Sequence, residues 1–121
     1  MGVTLTDNSK QAKDQLKKNK EKALTMIGIK WQEIATKEIT ALGAVDTGRL
    51  RASLTYQPDL MNERVIVGTN VEYAPYVEFG TIRMASRPYL SNSILNYIDD
   101  YLNIVIQVLG EGFKLTTGVI Q

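Results

Sequence analysis

The chain of 121 residues contains no cysteine and no histidine. Without cysteine there can be no disulfide, no thiolate nucleophile and no zinc–sulfur site. Without histidine the chain lacks the side chain most used as a general base near neutral pH, and the commonest transition-metal ligand. Catalysis would have to rest on carboxylates, tyrosine or a lysine of shifted pKa. Long hydrophobic runs are also missing: the longest unbroken apolar stretches are a few residues, against the roughly 20 that cross a bilayer. The first 20 residues are polar and hold no apolar signal-peptide segment. The expectation is a soluble protein made in a cytoplasm, with which the lack of cysteine agrees. Nor is there an excess of either charge: 14 Lys and Arg against 13 Asp and Glu leave a net charge of +1. That balance argues against a protein whose whole purpose is to hold nucleic acid.

What is present reads as one domain over residues 1–121. A chain of this size buries roughly two-thirds of its unfolded surface, so a core is attainable without covalent staples. Residues 6–42 read as one long helix, capped by Thr6 or Asp7 and ended by Gly43. Apolar positions recur at Leu16, Leu24, Ile27, Trp31, Ile34 and Leu42, the stripe of an amphipathic helix. Its beginning differs. The stretch KQAKDQLKKNKEK offers one large apolar residue, Leu16, among six lysines: Lys10, Lys13, Lys17, Lys18, Lys20 and Lys22. Residues 1–22 are therefore expected to be mobile in the isolated chain, having little to bury. The lysines read either as a solvated helix face or as a contact to phosphate or to an acidic partner. With no interleaved aromatics, direct base reading is not expected.

In VDTGRLRASL, Asp46 or Thr47 suits an N-cap and the helix should run through about Ser53. Leu50 and Leu54 would then face inward, with Arg49 and Arg51 at the flanks. LTYQ and RVIVGT alternate like the strands of a hairpin joined by the six residues PDLMNE. A long helix is predicted from Pro88 to Leu109, capped by Ser86, with Ile94, Ile98, Tyr101, Val105 and Val108 as its stripe and Gly110 as its stop. Residues 111–121 alternate weakly and could add a final edge strand. The fold class is α+β: a long N-terminal helix, a short helix, a β-hairpin or small antiparallel sheet, a one-turn helix and a long C-terminal helix.

The stretch VEYAPYVEFGTIRMASRPYL, residues 71–90, holds four of the nine aromatics. Val71-Glu72-Tyr73 should close the strand region. Pro75 should open a single helical turn, Tyr76 to Phe79, that Gly80 ends with a left-handed residue. Tyr73, Tyr76 or Val77, and Phe79 are the candidates to pin that turn to the sheet. Glu78 is less expected, because a carboxylate at a helix C-terminus opposes the dipole and calls for a cation. Arg87 is the first candidate partner and Arg49 the second. Glu72 and Glu78 as a hydrolytic pair lack an aromatic-lined cleft, and the Ser91–Ser93 region has no neighbouring lysine base. The stretch does not read as an active site.

Three blocks, DTGRLRAS, YAPYVEFGT and RPYL, stand in order at ordinary separations between Val45 and Leu90. Together they resemble the tail-component family of long-tailed phages and prophages. Its pattern is DTG-x-L-[RK]-x-S, then Y-A-x-[YF]-x-E-[FY]-G-T, then [RK]-P-[FY] before a last helix. The resemblance implies a non-enzymatic virion part, a tail-completion, neck or minor tail protein of head–tail joining, without cofactor, metal or membrane. It further implies a homo-oligomeric ring, most often of six subunits, around the DNA channel. The ring's partners would be a connector or stopper protein and a tail terminator or tail tube, and DNA would pass through without sequence-specific binding. The residues carried over are Asp46, Thr47, Gly48, Arg49 and Leu50; Tyr73, Pro75, Tyr76, Glu78, Gly80 and Thr81; and Arg87, Pro88 and Tyr89. A tail terminator of similar build, or a nucleic-acid-binding module using the lysine-rich helix, are the alternative readings.

Overall fold

The computed structural model describes residues 9–42, 47–83 and 85–110. The chain is α+β: α1 (Ser9–Leu42), α2 (Thr47–Ser53), β1 (Thr55–Asp59), β2 (Arg64–Gly68), α3 (Ala74–Phe79), α4 (Tyr89–Leu95) and α5 (Ile98–Leu109). The expected caps Thr6, Asp7 and Asp46, the stop at Gly43 and the final edge strand fall outside the described residues.

α1 is the spine, meeting α2, both strands, α4 and α5. Of the predicted stripe, Ile27, Trp31 and Ile34 are buried and Leu24 is half-buried; Ala23, Ala35 and Ile39 join them in the buried face, and the side chain of Leu42 falls outside the described residues. Leu16, placed in that stripe by its spacing, is exposed. Leu50 and Leu54 complete the turn of α2 and are buried in the same core, as the one-turn spacing predicts.

The hairpin pairs Thr55 with Gly68 through Asp59 with Arg64 in antiparallel register. Its connection is therefore shorter than predicted, because Pro58 and Asp59 belong to β1. In a two-stranded sheet each strand has a free edge, so the missing N–H of proline need not cost a ladder bond. The turn is fastened by Asp59, whose carboxylate accepts hydrogen bonds from Asn62 Nδ2 (2.8 Å) and Arg64 Nε (3.0 Å). Those bonds, Asn62's first, hold Asp59 below its ordinary carboxylate pKa. Glu63 takes a positive φ of 52° there and is tied to α1 by Lys20 Nζ at 2.6 Å. The hairpin lies on α1 at Gly28, where a Cβ would stand 2.2 Å from the ring of Tyr56.

Two further expectations are corrected. Val71-Glu72-Tyr73 is not strand: β2 ends at Gly68, and these residues form the approach to α3 with Val71 buried. The C-terminal helix is two helices broken at Asn96-Tyr97, where Tyr97 leaves the helical region at φ −125°, ψ 23°. The break lets each segment aim its own apolar side at α1. Trp31 Nε1 donates to Ser93 Oγ at 3.0 Å, Ser93 Oγ donates to Leu90 O, and Tyr101 Oη donates to Ser93 O. This chain of bonds satisfies the polar atoms of Trp31, Ser93 and Tyr101 inside the core. Burial also pushes the Tyr101 hydroxyl well above its ordinary pKa. Gly110 ends α5 at φ 90°, as predicted.

Candidate functional site

Helix α3 joins the three sequence blocks. The residues that lead into it, Glu72 and Tyr73, meet α2. Arg49, in the middle of α2, donates from both terminal nitrogens to the Glu72 carboxylate, at 3.0 and 2.9 Å. Its guanidinium also lies over the ring of Tyr73, 5.6 Å from the centroid. The hydrogen bonds from Arg49 hold Glu72 below its ordinary pKa, so the pair is charged at neutral pH. Both residues are largely exposed, and the fork geometry gives orientation more than stability.

Helix α3 itself faces α4. Glu78 is 5% exposed. Its carboxylate accepts hydrogen bonds from Leu90 N (2.8 Å), Ser91 N (3.0 Å) and Ser91 Oγ (2.6 Å). Leu90 and Ser91 lie in the first turn of α4, whose N–H groups have no partner within the helix. The N-cap of α4 is Pro88, which has no side-chain acceptor to offer. Glu78 supplies it from another helix, and the positive end of α4's dipole meets the carboxylate. The expected arginine is thereby replaced by amides, and Arg49, the second candidate, is committed to Glu72. The chain between the two helices is bonded back as well. Ser86 Oγ donates to Glu78 O at 2.7 Å and Arg87 N donates to Val77 O at 2.8 Å. Ser86 thus closes the end of α3 instead of capping the next helix. Pro88 sits one position before α4, not within its first turn. Burial, reinforced by the charge of Glu78 and by Tyr73, pushes the Tyr89 hydroxyl up to about 12.

Pro75 is in the first turn of α3, and Gly80 follows the helix at φ 79°, ψ 175°. The positive φ is as predicted, but the ψ is extended, a region open essentially to glycine alone. The anchoring differs from expectation. Val77 and Ala74 are buried, whereas Tyr76 is 58% and Phe79 77% exposed, and Ile82 is fully exposed. α3 packs chiefly on α4, not on the sheet. Thr81 Oγ1 accepts a hydrogen bond from Arg83 N in the loop that carries Ile82.

The structure therefore brings together Arg49, Glu72, Tyr73, Glu78, Pro88 and Tyr89, buries Leu50 beneath them and leaves Gly48 exposed. Lys13, Lys17, Lys18, Lys20 and Lys22 lie on α1 and belong to none of these contacts. Sequence reasoning missed Ser91 and the role of Glu72. The signal for Ser91 was the proline at the start of α4, which leaves the helix without a local cap.

Among the described residues, no group of three His, Cys, Asp or Glu is placed to hold a metal ion, and no helix is long and apolar enough to cross a membrane. An open groove of about 530 Å³ lies along α2 and the hairpin, and none of the residues lining it is ionisable.

No curated protein and no solved structure matches the chain. One family of sequences does, over residues 4–80, from the N-terminal segment through α1, α2, the hairpin and α3 to Gly80. It is described as "Bacteriophage HK97-gp10, putative tail-component". The match takes in the first block and the second as far as Gly80, and the chain belongs to this HK97-gp10-like family of phage tail components.

Proposed function

We propose that the protein is a structural, non-catalytic component of the phage head–tail neck, a tail-completion protein that forms a ring around the DNA channel between connector and tail tube. The observation that supports this reading is the state of the three blocks. Arg49 and Glu78 of the blocks are engaged by their neighbours, Arg49 with the Glu72 carboxylate and Glu78 with the N–H groups of Leu90 and Ser91 and the Ser91 hydroxyl, so among the described residues neither is held ready for a substrate. The large apolar side chains at the same place point the other way: Tyr76, Phe79 and Ile82 are exposed within seven residues of chain. A rigid mount that displays aromatic surface is suited to a protein neighbour, and aromatics are enriched at the energetic centres of such contacts. In a closed ring this ridge would meet a different surface of the next subunit, a heterologous contact.

The test uses the virion. Phe79→Ser should leave the stability of the isolated protein within about half a kcal/mol, because the side chain is on the surface. Particles assembled with Phe79→Ser as the only source of the protein should lack joined tails. Normal infectivity of that variant, or a virion reconstruction placing the chain away from the head–tail junction, would overturn the reading.

A further inference from the structure

We propose that the first turns of α1 carry a face-specific binding site for the phosphate backbone of duplex nucleic acid, centred on Lys13 and Lys17. The inference does not depend on where in the tail the protein sits. It rests on a register. Residues 13, 17, 20, 24, 27, 31 and 34 are spaced four, three, four, three, four and three, which places them on one face of a helix. From Leu24 onward that face is the one the body packs on, with Leu24 half-buried and Ile27, Trp31 and Ile34 buried. Before Leu24 the same face is lysine. Lys20 is half-buried at the edge of the body, where it pairs with Glu63 of the hairpin turn. Lys13 and Lys17 lie beyond that edge, where every residue from 12 to 18 is exposed.

The core-facing seam thus turns basic where the body stops covering it. Among the described residues Lys13, Lys17, Lys18 and Lys22 make no ion pair, and α1 pairs through Lys20 with Glu63 and Lys37 with Glu33. At about 1.5 Å of rise per residue, Lys13, Lys17 and Lys20 are set roughly 6 and 4.5 Å apart along the helix. Flexible lysine stems can bring charges at that spacing onto successive phosphates. The composition selects the class of partner. Protein interfaces are depleted of lysine at their centres and rely on apolar anchors. Here the only large apolar side chain is Leu16, one turn before Lys20 at the edge of the same face and 37% exposed, which is too little apolar surface to anchor a protein partner. A polyphosphate needs no such anchor: its contact is electrostatic and independent of sequence.

Two double variants remove the same charge from different faces. Lys13→Gln with Lys17→Gln removes the two seam lysines beyond Lys20, and Lys18→Gln with Lys22→Gln leaves the seam intact. The probe is a short labelled duplex of random sequence, followed by fluorescence anisotropy as salt is raised. The full-length protein should bind weakly at about 50 mM salt and lose affinity steeply as salt rises. The seam variant should bind about tenfold more weakly, with a salt slope shallower by about 1.8, two phosphate contacts at 0.9 each. The other variant should lose less than about threefold. Equal losses in the two variants, no binding by the full-length protein at low salt, or equally tight binding of labelled polyglutamate would each overturn the site.

Discussion

Glu78 shows how one side chain can settle the relation of two helices. Both were laid down with a defect: α3 ends in an acid, against its dipole, and α4 begins at a proline that cannot cap it. Placed together, each defect answers the other. Glu78→Gln would turn an amide nitrogen or lose charge against the Leu90 and Ser91 N–H groups, and hydrogen bonds to charged groups contribute about 1.5–3 kcal/mol. Chemical denaturation should show a loss of about 2 kcal/mol for Glu78→Gln. A cycle with Ser91→Ala should show coupling of about 1 kcal/mol, and one with Arg49→Gln coupling near zero. A solvated glutamate would give no loss and no coupling in either cycle. Tyr89, beside Glu78, makes a second residue-scale expectation. Its hydroxyl titrates near 10 when unfolded and is pushed up to about 12 in the fold. A raised folded pKa means the contribution is fully present below pH 10 and is lost as pH rises from 10 through 12. Stability measured across that window should fall in the native protein, and less in Tyr89→Phe.

At the scale of elements, the hairpin and α1 are fitted at Gly28. An isolated helix gains about 1 kcal/mol when an interior glycine becomes alanine. Here the sign should reverse, because the new Cβ would stand 2.2 Å from Tyr56 Cδ2, in a ring held by its strand. Overpacking of this kind costs typically 1–3 kcal/mol, so Gly28→Ala should lower stability by about 1 kcal/mol or more. Tyr56→Ala in the same chain should then remove the penalty. Stabilisation by Gly28→Ala alone would show that the hairpin rides free of α1. The two ends of α1 are likewise unequal. Amides from Lys13 to Lys18, exposed on every face, should exchange with solvent far faster than those from Ile27 to Ile39, which open only with the core. Equal protection along the helix in the isolated protein would contradict this division.

For the whole molecule the distribution of surface is what matters. The exposed ridge at Tyr76, Phe79 and Ile82 is short, and ring contacts between small subunits gain strength from closure and from adjoining layers. The expected solution state is therefore monomeric or weakly associated when dilute, with the ring formed in the virion. Light scattering over a range of concentrations checks the first half, and a reconstruction of the tail the second. A tight two-fold dimer in both settings would contradict it.

Much of this was readable from residue order. The long helix, the short one, the hairpin, the turn before Gly80 and the stop at Gly110 follow from periodicity and from glycine and proline chemistry, which act over a few neighbours. The family followed from three short blocks for the same reason, since a local motif needs no third dimension to be seen. What local order did not reveal is which local demand meets which. Periodicity continues through Asn96 and Tyr97, yet the helix breaks there, and the two segments each pack on α1. Size argued that Phe79 and either Tyr76 or Val77 should be inside; Val77 is, but Tyr76 and Phe79 are exposed, and α3 turns inward Ala74, Val77 and Glu78. An arginine was the natural partner for Glu78 within the chain's own list of cations. The carboxylate instead meets the free amides of α4, and an unsatisfied backbone end becomes a partner only once the fold has brought it within hydrogen-bonding distance.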